Sequence, residues 1–237
     1  GNDTVTAGSG SLVATTAAGN DTVTGGAKAD TISTGSGHDT IVTGNGGGTV
    51  TGGTGNDTIN ITNTTAIEDV VVFAEYGQGN YDVITGFTVG SATTADELTM
   101  LTTNMGWNST SGAGAAVVDT GASLKAGVDA ANDDTTVSTI STDMASNSID
   151  NFLAGTSSYS DLLSAGAAAM GLSGDLDSAA ILGVFVDDGE HTALFRFVSS
   201  DDGVDDLVTS SELELVAIFS GVDDATEILA SNLNAFA

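Results

Sequence analysis

The 237-residue chain has no cysteine and no proline, and Lys28, Lys125 and Arg196 are its only lysine or arginine residues. Without cysteine it can form no disulfide and no thiolate metal site. Because 32 acidic residues face three bases, the formal net charge is −29, and no basic patch is available to neutralise phosphates. We therefore predict no nucleic-acid partner. The longest apolar runs, such as residues 181–186, are too short to span a bilayer, which predicts no membrane insertion.

Groups that carry common enzyme chemistry are also scarce. The only histidines are His38 and His191, so H-E-x-x-H and three-histidine zinc sites are impossible. The sequence has no G-x-S-x-G elbow, P-loop or G-x-G-x-x-G fingerprint. With 32 acidic residues, a carboxylate pair for glycoside hydrolysis stays an alternative, although no local sequence context identifies such a pair. We predict that the chain is not an enzyme.

What the chain does contain is a short pattern that recurs every nine residues from Gly1 to about Thr62. Gly-Asn-Asp-Thr stands at 1–4, 19–22 and 55–58, and Gly-His-Asp-Thr stands at 37–40. One apolar residue per nine is too sparse for an amphipathic helix, but it suits a very short strand whose inward side chain stacks on its copies. These apolar slots hold Val5, Ala14, Val23, Ile32, Ile41, Val50 and Ile59.

The aspartate slot has a longer period of eighteen residues, which predicts coils of two strands and two turns. Stacked coils lie about 4.8 Å apart, so one edge would carry a ladder of carboxylates that repel one another. A hard cation bound through oxygen removes this repulsion, which favours Ca²⁺ over zinc or copper. Glycines two residues before each aspartate permit the tight turns. The predicted ligand positions are Asp3, Asp21, Asp39 and Asp57 with Gly1, Gly19, Gly37 and Gly55.

The opposite edge of each coil is less regular. Its corresponding slots hold Leu12, Asp30 and Gly48, and Lys28 replaces an expected glycine. We expect this edge, with Asp30 as its candidate ligand, to hold calcium weakly or not at all.

This pattern resembles the repeats-in-toxin (RTX) nonapeptide, G-G-x-G-x-D-x-U-x, most faithfully at residues 52–59. The resemblance implies a right-handed parallel β-roll that folds around calcium after export. A flexible, metal-free tail is the alternative, but seven apolar slots in phase disfavour it. Residues 77–84 are a stretched copy that adds Asp82 as a candidate ligand. With Ile84 and Phe87, Asp82 resembles the D-x-I-x-x-F segment of the last coil and cap in RTX proteins.

The predicted fold is mainly β, with a calcium-binding β-roll and capping strands over 1–90. Residues 91–237 are predicted to form a β-rich C-terminal assembly or secretion region with short helices over 148–154 and 160–170. Hydrophobic runs predict further strands over 183–187, 193–198 and 213–219.

Another acidic segment resembles an EF-hand loop. Asp201, Asp205 and Glu212 occupy loop positions 1, 5 and 12, but the glycine required at position 6 is missing. This segment therefore has two alternative interpretations, a calcium site and a solvated acidic hairpin turn.

Residues 221–236 resemble the acidic, then apolar, C-terminal region of proteins exported by type I secretion, which implies that machinery as a partner. The chain starts within a repeat at Gly1, and we expect it to be the C-terminal part of a longer protein. The favoured function is a secreted structural protein of a bacterial cell surface, S-layer-like and self-associating into a lattice or filament. The alternatives are the export and folding module of a secreted enzyme or toxin, or an adhesin or filament subunit; the upstream sequence would distinguish them.

Overall fold

A computed structural model of the chain describes residues 1–65, 67–90, 93–101, 119–120, 136–140, 144–170, 181–198, 209–228 and 232–234. Two α-helices and sixteen strands lie in these ranges. The helices are α1 (Ser148–Leu153) and α2 (Tyr159–Met170). In chain order the strands are β1 (Thr4–Thr6), β2 (Val13–Thr15), β3 (Thr22–Thr24), β4 (Asp30–Ser36), β5 (Thr40–Val42), β6 (Gly48–Thr54), β7 (Thr58–Asn60), β8 (Asp69–Phe73), β9 (Asp82–Thr85), β10 (Glu97–Met100), β11 (Asp119–Thr120), β12 (Thr136–Ile140), β13 (Ile181–Asp187), β14 (His191–Val198), β15 (Leu213–Ser220) and β16 (Leu233–Asn234).

The first ten strands alternate between two parallel sheets, as in a β-roll. Strands β1, β3, β5, β7 and β9 are neighbours in one sheet, and β2, β4, β6, β8 and β10 are neighbours in the other. In the first coils the register follows the eighteen-residue period, because Thr4 pairs with Thr22 and Thr22 pairs with Thr40. The prediction of a mainly β fold with a parallel β-roll is confirmed.

The core of the roll is a stack of single apolar side chains. Val23, Ile41 and Ile59 lie on top of one another in register and are fully buried. In each of these strands the residue before is an exposed threonine, and the residue after is half-buried. Burying an aliphatic side chain of this size contributes about 1.5–3 kcal/mol relative to leaving it exposed. Strands of only three residues are therefore stable as members of a stack.

Later coils are longer than eighteen residues but keep the same sheets. Gly48 pairs with Asp69, Val70 pairs with Glu97, and Thr58 pairs with Val83, so successive strands are 21, 27 and 25 residues apart. Sheet pairing of the roll thus continues to Met100, across residue 90. The division into regions 1–90 and 91–237 stays a prediction.

Strands from the C-terminal region extend both sheets of the roll. β15 pairs in parallel with β9, and β16 pairs in parallel with β10. β13, β14 and β15 are the strands that the hydrophobic runs predicted. They pair antiparallel, and α1 and α2 pack against this part of the sheet. The predicted helices over 148–154 and 160–170 are confirmed. None of the helices within the described ranges is long and apolar enough to cross a membrane.

The junction between the roll and the C-terminal strands is aromatic. Phe219 of β15 is fully buried, and its ring lies 5.0 Å from that of Phe87 and 5.9 Å from that of Phe185. A second aromatic contact joins Tyr81 to Phe152 of α1, with ring centroids 5.4 Å apart. The end of the roll is closed by apolar packing.

Candidate calcium ladder of the roll

The predicted aspartates lie in one column along an edge of the roll, joined by a repeating hydrogen bond. The backbone N–H of each rung donates to Oδ1 of the aspartate in the next coil. The bonds run from Asp3 to Asp21 (2.7 Å), Asp21 to Asp39 (2.7 Å), Asp39 to Asp57 (2.8 Å) and Asp57 to Asp82 (3.0 Å). Asp3 is exposed at the first rung, whereas the other four are buried.

The second oxygen of the central carboxylates has no hydrogen-bond partner. Oδ2 of Asp21, Asp39 and Asp57 is buried, and these residues are only 1%, 2% and 1% exposed. An ionised oxygen withdrawn from water without a partner is costly, so such groups are normally paired or bound to a metal. The column therefore offers a row of free carboxylate oxygens to a cation.

Glycine makes room for these oxygens. Gly19, Gly37 and Gly55 have φ of 133°, 141° and 125°, and a Cβ on Gly55 would overlap the carbonyl oxygen of Gly37. Gly1 occupies the equivalent place in the first coil, and its nitrogen donates to the carbonyl oxygen of Ala18 (2.6 Å). A Cβ on Gly52 would overlap Oδ2 of Asp57. Side chains are thus excluded from the space beside the free oxygens.

Acidic side chains crowd together at the last rungs of the ladder, around Asp57 and Asp82. Burial, together with the neighbouring charge of Asp39, raises the pKa of Asp57 to about 6. Burial, together with the charge of Asp57, raises the pKa of Asp82 well above its ordinary value. Glu75, which the sequence analysis missed, has a pKa raised to about 7 by burial and by Asp57, and its Oε1 is buried without a partner. A divalent cation here would favour the ionised forms.

A second ladder runs beside the first, in the position before each aspartate. Asn20 N–H donates to Oδ1 of Asn2 (2.9 Å), His38 N–H donates to Oδ1 of Asn20 (3.1 Å), and Asn56 N–H donates to Nδ1 of His38 (3.0 Å). His38 therefore supplies an acceptor in an asparagine slot. The repeated Asn of Gly-Asn-Asp was the signal for this ladder in the sequence.

At the opposite edge, Asp30 is buried and both of its carboxylate oxygens accept hydrogen bonds. Oδ1 accepts from Leu12 N–H (2.6 Å) and Oδ2 accepts from Gly26 N–H (2.7 Å). The repeat pattern predicts only Asp30 at this edge, but Asp69 and Asp96 lie in the same column of the structure. They were missed because they follow at 21 and 27 residues instead of eighteen.

The EF-hand-like segment is described only at its end. The predicted ligands Asp201 and Asp205 lie outside the described residues. Glu212 ends a short 3₁₀ turn, where its Oε2 accepts from the N–H (2.8 Å) and hydroxyl (3.0 Å) of Thr209. The carboxylate of Glu212 thus takes part in a capping box.

Residues 15–50 match the family model of the RTX calcium-binding nonapeptide repeat (4 copies). No curated protein and no solved structure matches the chain significantly. The chain thus carries RTX repeats, a calcium-binding type of repeat, folded as a parallel roll. The ladder fits this ion, because its free donors are carboxylate oxygens in a glycine-lined space and Ca²⁺ takes six to eight oxygen ligands.

Proposed function

We propose that this chain is a secreted, calcium-binding structural protein of a bacterial cell surface, S-layer-like in its role. The observation that carries the proposal is the row of buried, partnerless Oδ2 atoms on Asp21, Asp39 and Asp57. Calcium bound between these rungs would offset the cost of burying their charge. Asp3, Asp82 and the stacked glycine turns complete the proposed set of ligands.

Calcium would act as the folding signal. With a formal charge of −29, the chain repels itself when calcium is scarce, and an unfolded chain suits passage through a type I exporter. Outside the cell, weak calcium modules load at millimolar concentrations. Binding there requires the assembled ladder, so the binding free energy becomes folding free energy.

The two histidines support a structural role over a catalytic one. His38 is held in the asparagine ladder. The Nδ1 of His191 accepts from Gly221 N–H (3.0 Å), so its Nε2 donates to Oδ1 of Asp150 (2.9 Å). Both rings are thus engaged in holding backbone or side chains in place, and neither is presented as a free general base in a cleft.

Self-association can be tested by size-exclusion chromatography with light scattering and by electron microscopy, in calcium and in chelator. The proposal predicts ordered sheets or filaments in millimolar calcium and soluble chains after chelation. Monomers that persist at high protein concentration in calcium would contradict the surface-coat role and favour an export and folding module of a secreted enzyme or toxin.

A further inference from the structure

The turn between β5 and β6, at the edge opposite the ladder, contains the pair Asn45-Gly46. Asn45 is the only asparagine in the sequence that is followed by glycine. It is exposed, and Gly46 is half-buried. In such a pair the backbone nitrogen of the glycine can attack Cγ of the asparagine, because the attack closes a five-membered ring and glycine has no Cβ to obstruct it. The pair therefore has the covalent arrangement for a reaction of the chain with itself.

The stacking of the coils requires the glycine of this pair. A Cβ on Gly46 would overlap the backbone of Lys28 in the preceding coil. Gly44, on the other side of Asn45, has a φ of 85°. Asn45 itself is anchored, because its backbone N–H donates to the carbonyl oxygen of Gly26 (3.0 Å). The fold thus excludes every larger residue that would slow ring closure at position 46.

Two hydrogen bonds hold the side-chain carbonyl of Asn45. Its Oδ1 accepts from the backbone N–H of Thr64 (3.0 Å) and from the hydroxyl of Thr64 (3.0 Å). Attack on Cγ moves negative charge onto this oxygen, and donors already placed at such an oxygen stabilise the tetrahedral intermediate, as in an oxyanion hole. The turn that carries Thr64 therefore favours attack by the nitrogen of Gly46.

The groups that must change partners in this reaction are free. Because a backbone N–H only donates, the atom that meets Thr64 must be the amide oxygen, and Nδ2 is the other atom. No described residue bonds to Nδ2 of Asn45 or accepts from the N–H of Gly46. The exposure of Asn45 admits water to both groups.

We propose that Asn45 deamidates spontaneously in the folded roll and that Thr64 is the positioning residue that promotes the reaction. The nitrogen of Gly46 loses its proton to solvent and bonds to Cγ of Asn45. The Cγ–Nδ2 bond breaks, and the nitrogen takes a proton from water and leaves as ammonia. Water then opens the cyclic imide to aspartate or isoaspartate, so the net reaction consumes one water and releases one ammonia.

The aspartate product fits the structure of the turn. Its Oδ1 keeps both bonds from Thr64, and hydrogen bonds to an ionised acceptor are stronger than those to a neutral one. The reaction would add a negative charge beside Lys28, the only lysine or arginine among residues 1–62. This modification goes beyond the proposed function and needs no bound metal.

Peptide mass spectrometry of the full chain, stored folded in mildly alkaline buffer with calcium, measures the loss of the amide at Asn45. Thr64→Val removes the hydroxyl donor and should deamidate at least roughly tenfold more slowly, and Thr64→Ser should match the wild type. In concentrated urea with chelator, all three chains should react at one common rate, because Thr64 no longer meets Asn45. Asn20, exposed and followed by aspartate, is the internal control and should keep its amide longer.

The comparison of folded with urea-unfolded chains does not depend on calcium being the folding signal. An amide at Asn45 that persists in the folded chain while it is lost in urea would overturn the proposal. Equal rates for the wild type and Thr64→Val in the folded state would also overturn it. Thr64 is exposed, and matching circular dichroism spectra of the three folded chains would establish that the substitutions leave the roll intact.

Discussion

The backbone N–H of Asp39 donates to Oδ1 of Asp57 at 2.8 Å, eighteen residues along the chain, while Oδ2 of the same carboxylate is buried without a partner. One oxygen thus joins successive coils, and the other is free for a cation. The side chains that fix the register of the roll are the same ones that offer the ligands. Calcium binding and folding of the roll should therefore be coupled.

Asp39→Asn removes the negative charge with little change of side-chain shape. It keeps Oδ1 and replaces Oδ2 by an NH₂ group. In calcium the variant should be less stable; with calcium at a hundred times the Kd of one site, losing that site costs about 2.7 kcal/mol. In chelator it should be as stable as the wild type or more so, because repulsion between neighbouring rungs is relieved. Urea unfolding in calcium measures the first difference, and the residual strand signal in far-ultraviolet circular dichroism in chelator measures the second.

Asp223→Asn is the matched control, because Asp223 is an exposed acid of the C-terminal region. Its effect on the free energy of unfolding should stay within about 0.5 kcal/mol with and without calcium. If Asp39→Asn destabilised the chain equally in both conditions, the free oxygen would have no part in calcium binding.

Gly52→Ala should weaken the ladder without changing any charge. The added Cβ would overlap Oδ2 of Asp57, and overpacking of this kind costs about 1–3 kcal/mol. Isothermal titration with calcium should show weaker binding than in the wild type. Gly8→Ala is the control, because a Cβ there meets nothing within 4 Å. Equal calcium affinity in the two variants would place the bound ion away from Oδ2 of Asp57.

The eighteen-residue period made the first coils predictable, because it is also the register of their strands. Thr22 pairs with Thr40 and Thr31 pairs with Thr49. The same period therefore identified the residues of the core and those of the ladder. Asp82 was found at an irregular distance because glycines and an asparagine before it copy the repeat.

The rest of the site depends on contacts that no local pattern records. Asp69 and Asp96 join the opposite column only because longer turns return the chain to the same sheet. Glu75 reaches the ladder from the segment after β8, where the sequence shows no repeat. The pairing of β15 with β9 joins segments more than a hundred residues apart, and the hydrophobic runs that predicted β13, β14 and β15 could not reveal it.

Stability should depend on pH in opposite directions with and without calcium. In chelator the folded chain binds more protons than the unfolded chain, because burial raises the pKa of Asp57 to about 6 and that of Glu75 to about 7, above their ordinary values of 3.8 and 4.5. Stability should therefore fall as the pH rises through 5 to 8. In saturating calcium it should fall on acidification, because protons compete for the ligands.

Far-ultraviolet circular dichroism in chelator and urea midpoints in calcium, both at pH 5, 6, 7 and 8, test this reversal, since the strand signal in chelator should be largest at the lowest pH. A stability that rises with pH in chelator would show that the buried carboxylates are not costly in the metal-free roll.

Phe219→Ala should loosen the junction between the roll and the C-terminal strands. The ring of Phe219 is fully buried against Phe87 and Phe185, and removing a buried phenylalanine side chain costs about 3–5 kcal/mol. Denaturant unfolding in calcium measures the loss. Val13→Ala, at a position 81% exposed, should change stability by less than about 0.5 kcal/mol. Similar effects of both substitutions would mean that β15 does not cap the roll.

The central claim is that calcium folds the roll through its aspartate ladder. Its most direct test is a calcium titration of the chelated full chain, followed by far-ultraviolet circular dichroism, with magnesium as the matched ion. The account predicts a saturable gain of strand signal with calcium and little or none with magnesium at the same concentration, since Mg²⁺ dehydrates reluctantly and demands octahedral geometry. Identical spectra in excess chelator and in millimolar calcium would contradict it.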